Sequence, residues 1–120
     1  FAVLLLINCI PPDVIGKISA MAVRVPTITG SLVELNCIIK ADTTAKEVMA
    51  AFKKISEGEM KGILEYTEDP IVSADIISSH YSSVFDASMT EVNGKMLKVL
   101  SWYDNEMGYA SRLGDLALKV

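Results

Sequence analysis

Val84-Phe85-Asp86-Ala87-Ser88-Met89-Thr90-Glu91-Val92, then Asn93-Gly94, then Lys95-Met96-Leu97-Lys98-Val99-Leu100-Ser101-Trp102-Tyr103, is the stretch that decides the fold. Two runs rich in β-branched and aromatic residues flank a dipeptide that tolerates the positive φ angles of a type I′ turn, which predicts an antiparallel hairpin. The second run continues into the polar Asp104-Asn105-Glu106 and then into Ala110, Leu113, Ala117 and Val120, spaced for one face of a helix. A strand that passes through a polar turn into a helix start is a place to present polar groups.

Upstream, Ala20-Met21-Ala22-Val23-Arg24-Val25 is short, β-branched and closed by Pro26, and predicts a strand; residues 31–40 predict a longer one. Thr44 and Glu47 are spaced as a capping box, so a helix is expected over about residues 44–57. Its core face is expected from Val48, Ala51, Phe52 and Ile55, and its stop from Gly58. Residues 62–66 read as a strand, 70–77 as an irregular or short extended piece, and 78–83 as a Ser-rich loop. Strands punctuated by two helices predict an α+β domain: a mainly antiparallel or mixed sheet with helices packed on one face. No G-x-G-x-x-G occurs, so no Rossmann domain is expected within this stretch.

The chain has 120 residues, enough for one cored domain. It opens on Phe1 rather than Met, and we expect a fragment or processed product. Eleven Lys and Arg against 15 Asp and Glu leave no basic stripe for nucleic acid. A hydrophobic content of 51% is rich for a soluble domain this small and points to buried strands plus an interface. Residues 1–10 are apolar except for Asn8, too short to span a bilayer and without the basic start of a signal peptide. They are expected to form a buried strand or helix piece, and neither a membrane nor a metal is implied. Cys9 and Cys37 are too few for a disulfide framework, which favours a reducing, cytoplasmic compartment.

Several segments in order resemble one family. Lys17-Ile18-Ser19-Ala20-Met21-Ala22-Val23-Arg24-Val25-Pro26-Thr27 is similar to G-K-L-x-G-M-A-x-R-V-P-T, and residues 56–68 to S-E-G-x-x-K-G-I-L-x-Y-T-E. Residues 81–87 are similar to x-S-S-x-F-D-A, and Trp102-Tyr103-Asp104-Asn105-Glu106-Met107-Gly108-Tyr109 to W-Y-D-N-E-x-G-Y. These are segments of the phosphorylating glyceraldehyde-3-phosphate dehydrogenases, and the resemblance runs from about residue 16 to the C-terminus. It implies a partial catalytic domain over residues 16–120, with residues 1–15 unmatched and an N-terminal Rossmann domain missing. Where the family continues with V-S-V-V-D-L, this chain has Ile28-Thr29-Gly30-Ser31-Leu32-Val33-Glu34-Leu35.

In the family a Cys thiolate attacks the aldehyde, a His serves as base, hydride passes to a nicotinamide, and inorganic phosphate cleaves the thioester. The nucleophile lies in S-C-T-T-N. Neither Cys9 nor Cys37 matches it, and both are expected to be buried, inert thiols. His80, the one histidine, lies downstream of where the family places its base and is expected on a surface loop. No catalytic residue is therefore assigned, and the isolated chain is expected to be inactive.

Two positions carry the binding expectation. Arg24, among apolar neighbours, must take its guanidinium to an anion or to solvent, and the resemblance gives it the substrate's phosphate; a carboxylate-paired structural Arg is the alternative. Asn105 can donate to and accept from another amide, and the resemblance gives it the nicotinamide carboxamide, with Glu106 and Tyr109 as supports. Helix capping by Asp104 or Asn105 is the alternative there, and both roles hold at once if Asp104 caps and Asn105 points outward. The resemblance further implies NAD or NADP, a phosphorylated aldehyde substrate with inorganic phosphate, and a homotetramer. An erythrose-4-phosphate dehydrogenase-like fragment and a non-catalytic oligomerisation or binding module are the rival readings.

Overall fold

The computed structural model describes residue 14 and residues 16–119. The segment 1–10, expected to be a buried strand or helix piece, lies outside the described residues, as does Val120. The elements run β1 (Ser31–Ile38), α1 (Ala45–Glu57), β2 (Leu64–Thr67), a 3-10 turn (Ser73–Ile76), β3 (Ser83–Asn93), β4 (Met96–Tyr103) and α2 (Met107–Ala117). The strands form one four-stranded sheet in the order β1-β4-β3-β2. The expected α+β class with a mixed, mainly antiparallel sheet is what the chain adopts.

The hairpin forms as its sequence dictates. Asn93 pairs with Met96 and Val84 with Trp102, and Gly94 takes the φ of 60° that the turn requires. Between Asp86 and Glu91 the register shifts by a bulge, which lets one strand carry both the buried run 84–87 and the exposed end of the hairpin. β1 adds antiparallel to β4 through its whole length. β2 runs parallel to β3, and the crossover 68–82 that a parallel pair needs holds the 3-10 turn, where the sequence had led us to expect an irregular or short extended piece. Ile76 at its end is buried to 3% exposure, and the turn is closed by the Val72 amide donating to Asp75 Oδ2 at 2.8 Å.

The core lies where α1 crosses β2 and β3. Leu64, Phe85 and Ala87 are buried, and Met49, Phe52, Tyr66 and Val99 pack on them. The Phe52 ring stacks on Phe85 with centroids 3.9 Å apart. The capping box forms in full: Thr44 Oγ1 accepts from the Glu47 amide, and the Thr44 amide donates to Glu47 Oε2 at 2.8 Å. The Thr44 donors hold the Glu47 carboxyl below its usual range. The face of α1 differs from the expected one. Met49 and Phe52 make the contact, while Ile55 is 40% exposed, because the helix lies over the β2–β3 edge and turns Ile55 past it.

The expected strand at 20–25 is absent. Residues 18–25 are irregular and exposed, and Val23 and Val25 belong to no strand pair among the described residues. Strand propensity measures fit to a pleated, half-buried surface, and here no neighbouring strand supplies one. Cys37, expected buried, is partly exposed on β1. α2 forms, but Ala110, Leu113 and Ala117 of its expected apolar face are exposed, so that stripe is not what fixes it. It is held instead by Gly108, where a Cβ would stand 2.8 Å from the Tyr81 carbonyl, and by Arg112, which donates to the Gly62 carbonyl at 3.2 Å and pairs with Asp115.

Candidate functional site

The junction between β4 and α2 divides its work between two adjacent side chains. Asp104 is buried at 5% exposure and acts inward. Its Oδ1 accepts the amides of Glu106 and Met107, both at 2.9 Å, and its Oδ2 accepts the amide of Ser78 at 2.9 Å. The first two bonds satisfy amides that the start of α2 leaves without an intrahelical partner. The third ties the crossover loop to the same carboxylate, at the point where Ser78 adopts a φ of 68°. The Met107 and Glu106 amides, followed by Ser78 and Thr29, hold the Asp104 carboxyl below its usual pKa against the opposing effect of burial.

With capping assigned to Asp104, Asn105 is left exposed. Its Oδ1 accepts from Thr29 Oγ1 at 3.3 Å and from Ser31 Oγ at 3.5 Å, while Nδ2 has no partner among the described residues. Thr29 Oγ1 also lies 3.4 Å from Asp104 Oδ1. Gly30 makes this possible: at a φ of 90° it turns the chain between the two hydroxyl residues, and a Cβ there would sit 2.9 Å from the Ser73 carbonyl oxygen. The run 28–35 that departs from the V-S-V-V-D-L pattern thus reaches the Asn105 amide through Thr29 and Ser31.

Glu106 and Tyr109 are exposed beside Asn105, Tyr109 to 69%. Arg24 is exposed in the irregular stretch 18–30 and makes no ion pair with a described residue. No hydrogen bond joins it to Asn105; the two are connected along the chain by residues 24–31, whose far end holds the amide. His80 is exposed and its ring leans on Tyr81 with centroids 4.3 Å apart. It borders a cavity of about 360 Å³ that Asp75, Ile76 and Val84 also line. The sequence reading missed Thr29, Ser31 and Ser78, which touch the junction. Gly30 between two hydroxyl residues was the available signal, since a glycine at the entry of a strand marks a required turn.

For a nicotinamide the junction fits in its donor chemistry. An exposed amide N–H with no partner among the described residues matches a carboxamide carbonyl, and Tyr109 is exposed in the first turn of α2. Among the described residues no helix is long and apolar enough to cross a membrane.

Comparison with known proteins places this geometry in context. The model of the glyceraldehyde 3-phosphate dehydrogenase C-terminal domain matches residues 6–105. Glyceraldehyde-3-phosphate dehydrogenase 1 of Streptomyces avermitilis is 48% identical over 114 residues, 95% of this chain and 34% of that protein. Glyceraldehyde-3-phosphate dehydrogenase 1 of Trichoderma koningii is 50% identical over 110 residues, covering 91% and 33%. Glyceraldehyde-3-phosphate dehydrogenase of Kitasatospora aureofaciens is 44% identical over 109 residues, again 91% and 33%. The chain spans about a third of the length of these relatives.

Proposed function

The chain belongs to the glyceraldehyde 3-phosphate dehydrogenase C-terminal domain family, and on that premise we propose that it forms part of the catalytic domain of a phosphorylating, NAD- or NADP-dependent dehydrogenase of glyceraldehyde 3-phosphate. In this reading Arg24 binds the substrate's phosphate and Asn105, supported by Glu106 and Tyr109, binds the nicotinamide carboxamide. When bound, the nicotinamide accepts the hydride. The residues of this chain bind and orient. The nucleophilic Cys, the base and the dinucleotide fold come from the part of a complete subunit that this chain does not contain. Assembly into a homo-oligomer, in the cytoplasm, belongs to the same proposal.

The observation that carries the reading is the division of labour at residues 104 and 105. Asp104 accepts the Glu106 and Met107 amides at the helix start, while Asn105 is bonded there only through its oxygen, to Thr29 and Ser31, and its Nδ2–H₂ has no partner among the described residues. Arg24 is likewise free of a carboxylate among the described residues, as an anion-binding guanidinium is before its ligand arrives. The test is reduction of NAD or NADP, followed by absorbance, with glyceraldehyde 3-phosphate and inorganic phosphate. The complete subunit carrying this chain turns over, and the 120-residue chain alone does not. Turnover by the isolated chain that vanishes on Cys37→Ser or Cys9→Ser overturns the division of roles.

A further inference from the structure

We propose that Thr29 and Ser31 are positioning residues that fix the rotation of the Asn105 amide, turning its oxygen inward and its Nδ2–H₂ outward as a donor to a ligand carbonyl. The inference rests on the binding role proposed for Asn105. An unrestrained primary amide presents donor and acceptor ends with little preference, since half a turn about its terminal torsion exchanges them. Two hydroxyls converge here on the one amide oxygen, from either side of Gly30.

Asp104 competes with Asn105 for one of the two hydroxyl protons. Thr29 Oγ1 has a single proton and two acceptors in reach, Asp104 Oδ1 at 3.4 Å and Asn105 Oδ1 at 3.3 Å. Asp104 Oδ1 already accepts two amides at 2.9 Å, which weakens its hold on the Thr29 proton. The Thr29 proton is shared between the Asp104 and Asn105 oxygens, and Ser31 adds a second donor to the Asn105 oxygen at 3.5 Å. Both bonds are long, so each biases the amide weakly and the two act together. Asn105 thus reads a carbonyl oxygen rather than an amide N–H, and the ligand carboxamide is selected by its acceptor end.

The test uses the complete subunit and three probes: NAD, its 3-acetylpyridine analogue, which keeps the carbonyl and lacks the amide N–H, and ADP-ribose, which lacks the ring. The quantity read is each Kd divided by that for ADP-ribose, which removes effects on folding or on the dinucleotide site. The pair Thr29→Val with Ser31→Ala is expected to raise the NAD ratio about two- to tenfold, the range for losing ordinary hydrogen bonds. The acetylpyridine ratio is expected to rise by the same factor. An unchanged NAD ratio overturns the positioning role, and a rise confined to NAD overturns the donor orientation. Asn105→Ala separates this inference from the reading beneath it. If that variant raises the ratio and the hydroxyl pair does not, positioning alone falls; if Asn105→Ala also leaves it unchanged, the proposed role of Asn105 falls too.

Discussion

Trp102 Nε1 donates to Asp86 Oδ2 at 3.1 Å across the β3–β4 pair, joining the Phe85-Asp86-Ala87 and Trp102-Tyr103-Asp104 segments into one unit. The other oxygen of Asp86 accepts both the amide and the hydroxyl of Ser88 at the start of the bulge. Asp86 is buried at 3% exposure, so its bonds are made away from competing water. Removing it leaves an indole N–H without its acceptor and frees the bulge. Asp86→Ala is expected to destabilise the fold by about 1–3 kcal/mol, measured as a shift of the urea midpoint, with Asp86→Asn intermediate.

Asp104 gives the fold a dependence on pH whose sign is fixed. Its native pKa is depressed by the Met107 and Glu106 amides, so its contribution is complete above the unfolded value of about 3.9 and is lost as pH falls through the lower native value. Urea midpoints taken from about pH 6 downward are expected to fall more steeply below about pH 4 in the wild type than in Asp104→Asn, which has no carboxyl to protonate. Parallel profiles would remove Asp104 from the acid transition.

Gly108 carries the seating of α2. A Cβ there meets the Tyr81 carbonyl at 2.8 Å, and backbone on both sides leaves no flexible side chain to give way. Gly108→Ala is expected to cost about 1–3 kcal/mol despite the better helix propensity of Ala. Gly114→Ala, on the same helix with nothing within 4 Å of its added Cβ, is expected to be neutral or stabilising. Melting temperatures of the two variants check the contrast.

Arg24→Ala in the complete subunit is expected to reduce kcat/KM for the phosphorylated aldehyde relative to its unphosphorylated analogue, by about the 1.5–3 kcal/mol of a charge-assisted contact. Lys at this position restores part of the selectivity, having no fork for two oxygens. A change in melting temperature with an unchanged ratio assigns Arg24 a structural role.

Much of the fold was legible because local chemistry and tertiary packing agree. Asn93-Gly94 fixes its turn without help from the rest of the chain, and Thr44 with Glu47 fixes the start of α1. Residues 20–25 were misread because Met21, Val23 and Val25 have the composition of a strand and no sheet edge beside them, a fact that lies in the topology. Ile55 was misread for a related reason. Its spacing is that of a core face, but which part of the stripe is covered depends on where the helix crosses the sheet. At the junction, the residue types of Asp104 and Asn105 were legible, as was the option that Asp104 caps while Asn105 points outward, but the partners that hold this division of roles were not. That division depends on Ser78, Thr29 and Ser31, brought from two distant segments by the crossover and by β1.

Asn105→Asp in the complete subunit tests that division most directly, with cofactor KM, kcat and melting temperature measured on one variant. A carboxylate accepts and cannot donate, so a residue that donates to the nicotinamide carbonyl is expected to lose function on this change: cofactor KM rises, kcat falls, and the melting temperature holds because Asp104 still caps α2. Asp caps a helix as well as Asn and complements its dipole. Unchanged KM and kcat with an equal or higher melting temperature would contradict the account and remove Asn105 from the site.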